Sequence, residues 1–592
     1  MKRKLEDLKA DAAVDELRSG DRRTWLKNTA TLIGGAATGI MLTAVEADAR
    51  KSGTENSERQ QTGAKKGGAE RVDAGARLIA NDENAIVETT AGKVRGYTRN
   101  GIQTFKGIPY AGSTEGKARF LPPVKPTPWT GVRSSMQYGY VCPQGPRGGW
   151  AHDEEAWLFS WDDGIPAEDC LRVNLWTPGN DNKKRPVMVW LHGGGFQAGS
   201  GQELKSYDGE RLSRRGDVVV VSLNHRLGVL GHLNLAAYGE AYANSANVGM
   251  LDLVAALEWV RDNIGNFGGD EGNVTIFGQS GGGGKVSALM AMPPAKGLFH
   301  RGIVESGSML RGATMERTEK IAEEILDELG LSASQASQLH EVPVQKLIEA
   351  GGAVQRKHMR AGLPDVRKMA DQLVWAPVVD GTVLPRHPFD PDAPPISAGV
   401  PLMAGTVLNE FLSGINHPEY EKMTEEEVKE RVEKQYGDKA EHILEVFRQG
   451  HPKEKPFDIL SRIEAAPVRQ GAVTQCELKA AQSAAPAYLY WFTWKTPVLD
   501  RRPRAFHCSE LAFCFDNTER CENMTGDGPE ARALAAQVSE AWIHFARTGN
   551  PNHSGLPEWP AFEAAKCPTM IFDAPCEMKM NPDTSERKAI EM

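Results

Sequence analysis

One serine of the chain stands between glycines directly after an apolar run. Gly278 and Gly282 flank Ser280 at a spacing of two residues, and Val274–Phe277 before them is typical of a buried strand. A Gly-x-Ser-x-Gly sequence between a strand and a helix forms a tight turn that leaves the hydroxyl free at the carboxyl edge of the sheet. Such a hydroxyl can attack a carbonyl carbon. The alternative interpretation is a glycine-rich turn without chemistry.

The residues after this serine also suggest a phosphate-binding loop, because Gly281–Gly284 is followed by Lys285. The phosphate-loop motif G-x-x-x-x-G-K-[ST] would require a glycine at position 279 and a serine or threonine at position 286. The chain has Gln279 and Val286 instead. The phosphate-loop hypothesis therefore fails.

A second glycine-rich segment, His192–Gly195, also follows an apolar run directly. Consecutive glycines allow backbone N–H groups to converge on one point, which is what stabilisation of an oxyanion requires. Either segment alone could be a flexible loop. The two together, each at the end of a strand and in this order, indicate a hydrolase.

The surrounding elements predict an α/β fold. Short apolar runs alternate with helical patterns, such as Asp252–Ile264, and this alternation is typical of a mostly parallel sheet with helices on both faces. The polar helical regions 315–375 and 419–449 lie between strand runs, so we expect them to cover a site. The predicted strands are Pro186–His192, Val218–Leu223, Val274–Phe277, Gly302–Glu305, Pro401–Ala404 and Tyr488–Phe492.

Composition excludes several classes of protein. The chain has 592 residues, of which 40% are hydrophobic, and this is enough for a large core. The net charge of −9 argues against nucleic acid as a partner. No apolar run reaches about 18 residues, so we expect no membrane anchor. No residues have metal-ligand spacing, and we expect neither a metal nor a cofactor.

The start of the chain predicts export. Arg22 and Arg23 precede a weakly apolar stretch from Leu32 to Val45, and Ala47–Ala49 fits a cleavage site. Residues 1–49 therefore resemble a twin-arginine signal peptide, which makes the twin-arginine export machinery a partner and the periplasm or the exterior the destination. The alternative is a cytosolic amphipathic start. Residues 50–83 are predicted to be a disordered linker, and 84–592 a single folded domain.

The chain resembles the type B carboxylesterase family, which includes cholinesterases and bacterial para-nitrobenzyl esterases. The resemblance covers about residues 87–572 and implies the α/β-hydrolase fold. The motifs that carry it are Phe105–Ala111, Glu168–Leu171 with Asn174, Asn224–Gly228, Asn263–Ile264, Phe267–Asp270, Val274–Ser280, Phe545–Pro551 and Trp559–Pro560.

The resemblance implies a Ser–Glu–His triad in that chain order. Ser280 matches the nucleophile, Glu410 ends a G-x-x-x-x-E pattern, and His507 is followed three residues later by a glutamate. The expected oxyanion donors are the N–H groups of Gly194, Gly195 and Gly281. Such a site would hydrolyse a small ester through an acyl-enzyme.

The chain departs from the family pattern at three positions. Gln279 replaces the usual glutamate and removes a negative charge beside the nucleophile, so we expect neutral, largely apolar esters as substrates. Gly281 replaces an alanine and should only loosen the turn. Arg172 stands where an aromatic residue or threonine is commoner, and we expect its effect to be structural.

Two other functions are compatible with the resemblance. An amidase or carbamate hydrolase could use the same triad, and only substrates can separate it from an esterase. The family's non-catalytic adhesion proteins have lost the triad serine, whereas this chain keeps Ser280, Glu410 and His507. The natural substrate and the oligomeric state do not follow from the sequence.

The resemblance also implies a disulfide between Cys142 and Cys170, which would close a surface loop. In cholinesterases this loop supplies an aromatic wall to the substrate gorge, so Trp157 or Trp161 could do so here. Cys514 with Cys521, and Cys567 with Cys576, are close enough in sequence to pair. Cys476 and Cys508 have no assignable partner.

Overall fold

The computed structural model describes residues 77–145, 152–358 and 373–591. The predicted signal peptide and most of the predicted linker lie outside the described residues. In the described part, no helix is long and apolar enough to cross a membrane.

A mixed sheet forms the centre of the molecule. Its strands, with those of two small sheets, are β1 Leu78–Ile79, β2 Ile86–Thr89, β3 Gly92–Arg95, β4 Tyr97–Arg99, β5 Ile102–Pro109, β6 Val132–Ser134, β7 Arg172–Thr177, β8 Arg185–Leu191, β9 Val219–Leu223, β10 Gly269–Gln279, β11 Arg301–Glu305, β12 Ala313–Thr314, β13 Val378–Val379, β14 Leu402–Val407, β15 Ala487–Phe492, β16 Pro568–Phe572 and β17 Glu577–Met580.

The large sheet has the strand order β1-β4-β5-β7-β9-β8-β10-β11-β14-β15-β16-β17. Every pairing from β9 to β16 in that order is parallel, and the pairings at both edges are antiparallel. All residues of β8, β9 and β14 are buried, which explains their largely apolar sequences. The predicted, mostly parallel sheet is confirmed.

Helices lie between the strands. They are α1 Asp153–Phe159, α2 Glu210–Gly216, α3 Gly228–His232, α4 Val248–Asn263, α5 Gly281–Leu289, α6 Met315–Glu328, α7 Val344–His358, α8 Glu425–Tyr436, α9 Ala440–Gly450, α10 Pro456–Ala481, α11 Leu511–Cys514, α12 Glu522–Thr525, α13 Pro529–Thr548 and α14 Thr584–Glu591. Helices α6 to α9 occupy the two regions predicted to be helical excursions.

The sheet separates two hydrophobic cores. Successive residues of β8 point to opposite faces, so Val189 joins one core and Trp190 the other. Residues of α4 and α5 belong to the first core, while Trp542 of α13 belongs to the second. Helices therefore cover both faces of the sheet, as the alternating pattern predicted.

Regular β-structure begins earlier in the chain than the sequence predicted. Strand β1 lies within the segment assigned to the linker, yet Leu78 and Ile79 pair with Arg99 and Thr98 of β4. Two residues are too short a run for an apolar pattern to reveal.

Candidate active site

The serine between β10 and α5 has a strained backbone. Ser280 has φ 57° and ψ −124°, which is unusual for a residue with a side chain. Gly278 and Gly282 are required here, because a Cβ atom would lie 2.5 Å and 2.0 Å, respectively, from the carbonyl oxygen of Leu191. The amide of Ser280 donates to the carbonyl oxygen of Glu305 at 2.8 Å, which fixes the turn against β11.

The glycine loop after β8 lies against this turn. Gly194 and Gly195 have φ of 85° and 58°, values that favour glycine. A Cβ atom on Gly281 would lie 2.5 Å from the amide nitrogen of Gly195, so the two segments are in close contact. In the described part of the chain, the N–H groups of Gly194, Gly195 and Gly281 have no protein acceptor. Three unused donors therefore lie close to Ser280.

The predicted acid and base form a direct pair. The Nδ1 atom of His507 lies 2.6 Å from Oε2 of Glu410, and the amide of His507 donates to the carbonyl oxygen of Glu410 at 2.9 Å. The second carboxylate oxygen accepts the amide of Val407 at 3.0 Å. The Glu410 side chain is fully buried, so these bonds orient both the carboxylate and the imidazole.

A side chain that the sequence analysis treated only as a lost charge contacts this imidazole. Gln279 Nε2 lies 3.2 Å from Nε2 and 3.4 Å from Nδ1 of His507, and Cys508 Sγ donates to Gln279 Oε1 at 3.2 Å. Between described residues, no hydrogen bond joins Ser280 Oγ to His507. Bonds of this kind are often formed only once substrate is bound.

Ser280, His507 and the glycine loop line one cavity of about 700 Å³. Its walls include aromatic and aliphatic side chains, namely Phe159, Trp161, Leu204, Tyr207, Phe411, Leu412, Ile415, Tyr420 and Phe506. Two carboxylates besides Glu410 also line it, those of Glu155 and Glu203. The cavity can accept a largely apolar molecule beside the serine.

The two tryptophans expected at the substrate wall differ in position. Trp161 lines the cavity and stacks on Phe159 with ring centroids 4.7 Å apart. Trp157 is not among the lining residues and is 47% exposed. Helix α1 buries Leu158 and Phe159, which directs the preceding tryptophan to the surface.

Two buried glutamates lie near Glu410 and His507; the sequence analysis missed Glu305 and used Glu510 only to identify the histidine. Glu305 pairs with Gln279 across β10 and β11 and accepts a hydrogen bond from Trp542 Nε1 at 2.7 Å. Burial raises the pKa of Glu305 to about 8. Burial also raises the pKa of Glu510 well above its usual range, with Glu305 and Glu410 contributing. Both are therefore neutral acids at moderately acidic pH.

The cysteines differ from the predicted pairing. All eight are free thiols in the structure, including Cys142 and Cys170. These two are buried and joined by a hydrogen bond between their side chains, which is the first cause that raises the pKa of Cys170. The predicted bond is thus absent although its partners are adjacent. Among the described residues, no cluster of His, Cys, Asp or Glu could hold a metal ion.

The fold and this arrangement define a class of protein, a serine hydrolase of the α/β-hydrolase fold. The sequence profile of the Carboxylesterase family matches residues 83–589, and the chain belongs to this family.

Solved structures and curated relatives agree with this assignment. An esterase from Clostridium hathewayi, described as hydrolysing aliphatic aromatic polyesters, has a TM-score of 0.73 and 37% identity, covering 87% of this chain and 99% of the other. A carboxylesterase from Geobacillus stearothermophilus has a TM-score of 0.72 and 36% identity, covering 86% and 100%. The para-nitrobenzyl esterase of Bacillus subtilis is 35% identical over 85% of this chain and 98% of its own length. The chain is a serine carboxylic-ester hydrolase.

Proposed function

We propose that Ser280 is the nucleophile, His507 the general base and Glu410 the acid of this hydrolase. His507 takes the proton of Ser280 Oγ as the oxygen attacks the ester carbonyl carbon. Glu410 accepts Nδ1–H and stabilises the imidazolium. The imidazolium then protonates the departing alcohol, and a water molecule activated by the same imidazole releases the carboxylic acid from the acyl-enzyme.

The oxyanion formed in both steps would accept hydrogen bonds from the N–H groups of Gly194, Gly195 and Gly281. The observation that carries the proposal is that these three amides have no protein acceptor in the described chain and lie at the serine turn. Removing one donor of this kind typically costs about 3 kcal/mol of barrier.

We further propose that the substrates are neutral, largely apolar esters. The apolar and aromatic side chains of the cavity support this, together with the neutral Gln279 beside the nucleophile. The test is a panel of para-nitrophenyl esters of rising acyl length, run beside matched carbamates and anilides and an aliphatic aromatic polyester film. We expect the esters to be turned over fastest. Faster turnover of anilides or carbamates would instead identify an amidase or a carbamate hydrolase.

Export by the twin-arginine route remains a proposal, supported by Arg22, Arg23 and the stretch that follows them. Replacing both arginines by lysine should retain the enzyme in the cytoplasm, as measured by activity in separated cell fractions. Unchanged export of the double variant would contradict the proposal.

In an oxidising compartment the adjacent thiols of Cys142 and Cys170 would be joined by a disulfide. Peptide mapping of exported protein without reductant tests this second step. We expect a linked peptide pair that contains both residues. Free thiols at both positions in exported protein would contradict it.

A further inference from the structure

A lysine is buried directly under the glycine loop. Lys285 lies in α5, five residues after Ser280, and its side chain has no exposed surface. Lysine is almost never fully buried without a partner. Its ammonium donates to the carbonyl oxygen of His192 at 2.7 Å and lies 3.5 Å from that of Gly193. The side chain thus connects the nucleophile helix to the loop that faces the serine.

These two carbonyl groups belong to peptide units whose opposite ends are the N–H groups of Gly193 and Gly194. A peptide unit is planar, so a hydrogen bond that fixes its C=O also fixes the direction of its N–H. Glycine loops are otherwise conformationally free. The carbonyl oxygen of Gly193 also lies 3.0 Å from Nδ1 of His192, so Lys285 and His192 together fix the direction of Gly194 N–H, one of the proposed oxyanion donors.

The groups around Lys285 leave its positive charge largely uncompensated. Burial lowers the pKa of Lys285 to about 7, and the charge of Glu203 opposes this shift only in part. His225 and His232 also face the ammonium, and burial lowers the pKa of both, to about 3 for His232. His192 lies beside His225, with ring centroids 5.0 Å apart. The positive charge of Arg226 also lowers the pKa of His232. The acceptors of Nζ itself are peptide carbonyls.

We propose that Lys285 is a positioning residue for ester hydrolysis, which holds the His192–Gly194 peptides with their N–H groups toward the reacting oxygen and stabilises the oxyanion with its charge. This inference rests on the proposed role of Ser280. It also assigns a function to the lysine that, after four glycines, suggested a phosphate-binding loop in the sequence.

The charge of Lys285 gives the reaction a distinctive pH dependence. Because the ammonium loses its proton as pH rises through about 7, kcat should decline above that value while the loop contacts become weaker. His225 and His232 are already neutral there, since their pKa values are lowered. Within this cluster, the decline of kcat at alkaline pH is therefore assigned to deprotonation of Lys285.

The test compares Lys285→Met with a matched control, Lys479→Met. Lys479 is also buried, and its ammonium donates to the carbonyl oxygens of Ser397 at 3.0 Å and Ala398 at 2.7 Å, which lie outside the glycine loop. Both variants are examined as the folded full chain, by circular dichroism and thermal melting, with a para-nitrophenyl ester as substrate from pH 5 to 9.

We expect kcat of Lys285→Met to fall about 30-fold or more, with KM within about threefold and without the alkaline decline. Affinity for a trifluoromethyl ketone, which forms a tetrahedral adduct, should fall in parallel with kcat/KM. Lys285→Gln keeps an N–H donor without the charge, so it should have an intermediate kcat and no alkaline decline. Lys479→Met should match the wild type in kcat and pH profile.

A folded Lys285→Met variant with kcat within threefold of the wild type and an unchanged pH profile would overturn the inference. If that variant does not fold, Lys285→Gln is judged by the same pH criterion. Failure of the proposed function has a different signature, because ester hydrolysis would then be absent from the wild type or would survive Ser280→Ala.

Discussion

The two sides of Ser280 bury ionisable groups of opposite kind, carboxyl groups on one side and basic side chains on the other. On the side of His507, three buried glutamates approach the triad, at positions 305, 410 and 510. On the side of the glycine loop, Lys285 lies among buried histidines. In the proposed mechanism an imidazolium develops on the first side and an oxyanion on the second. Each charge thus forms next to groups of the opposite sign, or next to groups that can acquire it.

The acidic side itself contains two kinds of glutamate. Glu410 accepts hydrogen bonds from His507 and from the amide of Val407. Neither side-chain oxygen of Glu510 has a hydrogen-bond partner on another residue in the described part of the chain. Hydrogen-bond donors favour the charged form of a carboxyl, and the lack of such donors from other residues agrees with the raised pKa of Glu510.

Ser280→Ala should produce the largest loss of activity, since it removes Oγ, the proposed nucleophile that lies between the two sides. We expect kcat to fall by about 10⁵-fold or more, with an unchanged melting temperature, because only the hydroxyl is lost. Turnover of a para-nitrophenyl ester measures the first quantity, and thermal melting the second. Retained turnover in the folded variant would mean that another residue is the nucleophile.

Glu410→Gln and Glu510→Gln test the difference between the two glutamates. The first should lower kcat by about 10³-fold to 10⁴-fold, because a neutral amide cannot stabilise the imidazolium. The second should change kcat by less than about tenfold, because an amide there replaces a carboxyl that is already neutral. Equal losses in the two variants, or a loss within threefold for Glu410→Gln, would show that the acid is assigned to the wrong carboxyl.

Choline esters test how far the acidic side reaches into the cavity. Because Gln279 is neutral, we expect a neutral butyrate ester to exceed butyrylcholine in kcat/KM by at least about tenfold, or about 1.4 kcal/mol. Gln279→Glu should bring the two kcat/KM values closer together, because it adds a negative charge near the ammonium of the choline ester. Equal or better turnover of butyrylcholine by the wild type would indicate that Glu155 and Glu203 already supply the missing charge.

Glu305→Gln should alter the pH dependence of stability and affect catalysis least. The pKa of Glu305 is raised to about 8, so the folded chain binds this proton more tightly than the unfolded chain does. Its contribution to the free energy of unfolding is fully present below about pH 4.5 and is lost as pH rises to about 8, by at most about 1.4 kcal/mol per pH unit. Denaturant unfolding of wild type and variant across this range should show a steeper decline for the wild type. Parallel curves would mean that Glu305 is ionised in the fold.

The sequence predicted the sheet and indicated the residues of the proposed triad because both leave local patterns. Ser280 and the glycine loop directly follow buried strands, and a sheet places the ends of neighbouring parallel strands together. The buried Glu305 leaves no such pattern. Glu305 reaches the triad only through the register of β10 against β11, which a single chain does not reveal.

Other differences also arise from long-range packing. The position of Trp157 depends on which face of the short helix α1 is buried, and its few residues do not decide this. The contact of Gln279 with His507 joins residues 228 positions apart. Lys285 resembled part of a phosphate loop because its neighbours are glycines, and only the fold places it under the loop of His192.

The most direct test of the account is covalent labelling of the nucleophile. The wild-type enzyme is treated with a fluorophosphonate, and the modified peptide is identified by mass spectrometry, with Glu410→Gln as a slow-reacting control. We predict one phosphonyl group on Ser280, formed in step with the loss of esterase activity, and labelling slowed by orders of magnitude in the control. A label on another residue, or full inactivation with Ser280 unmodified, would contradict it.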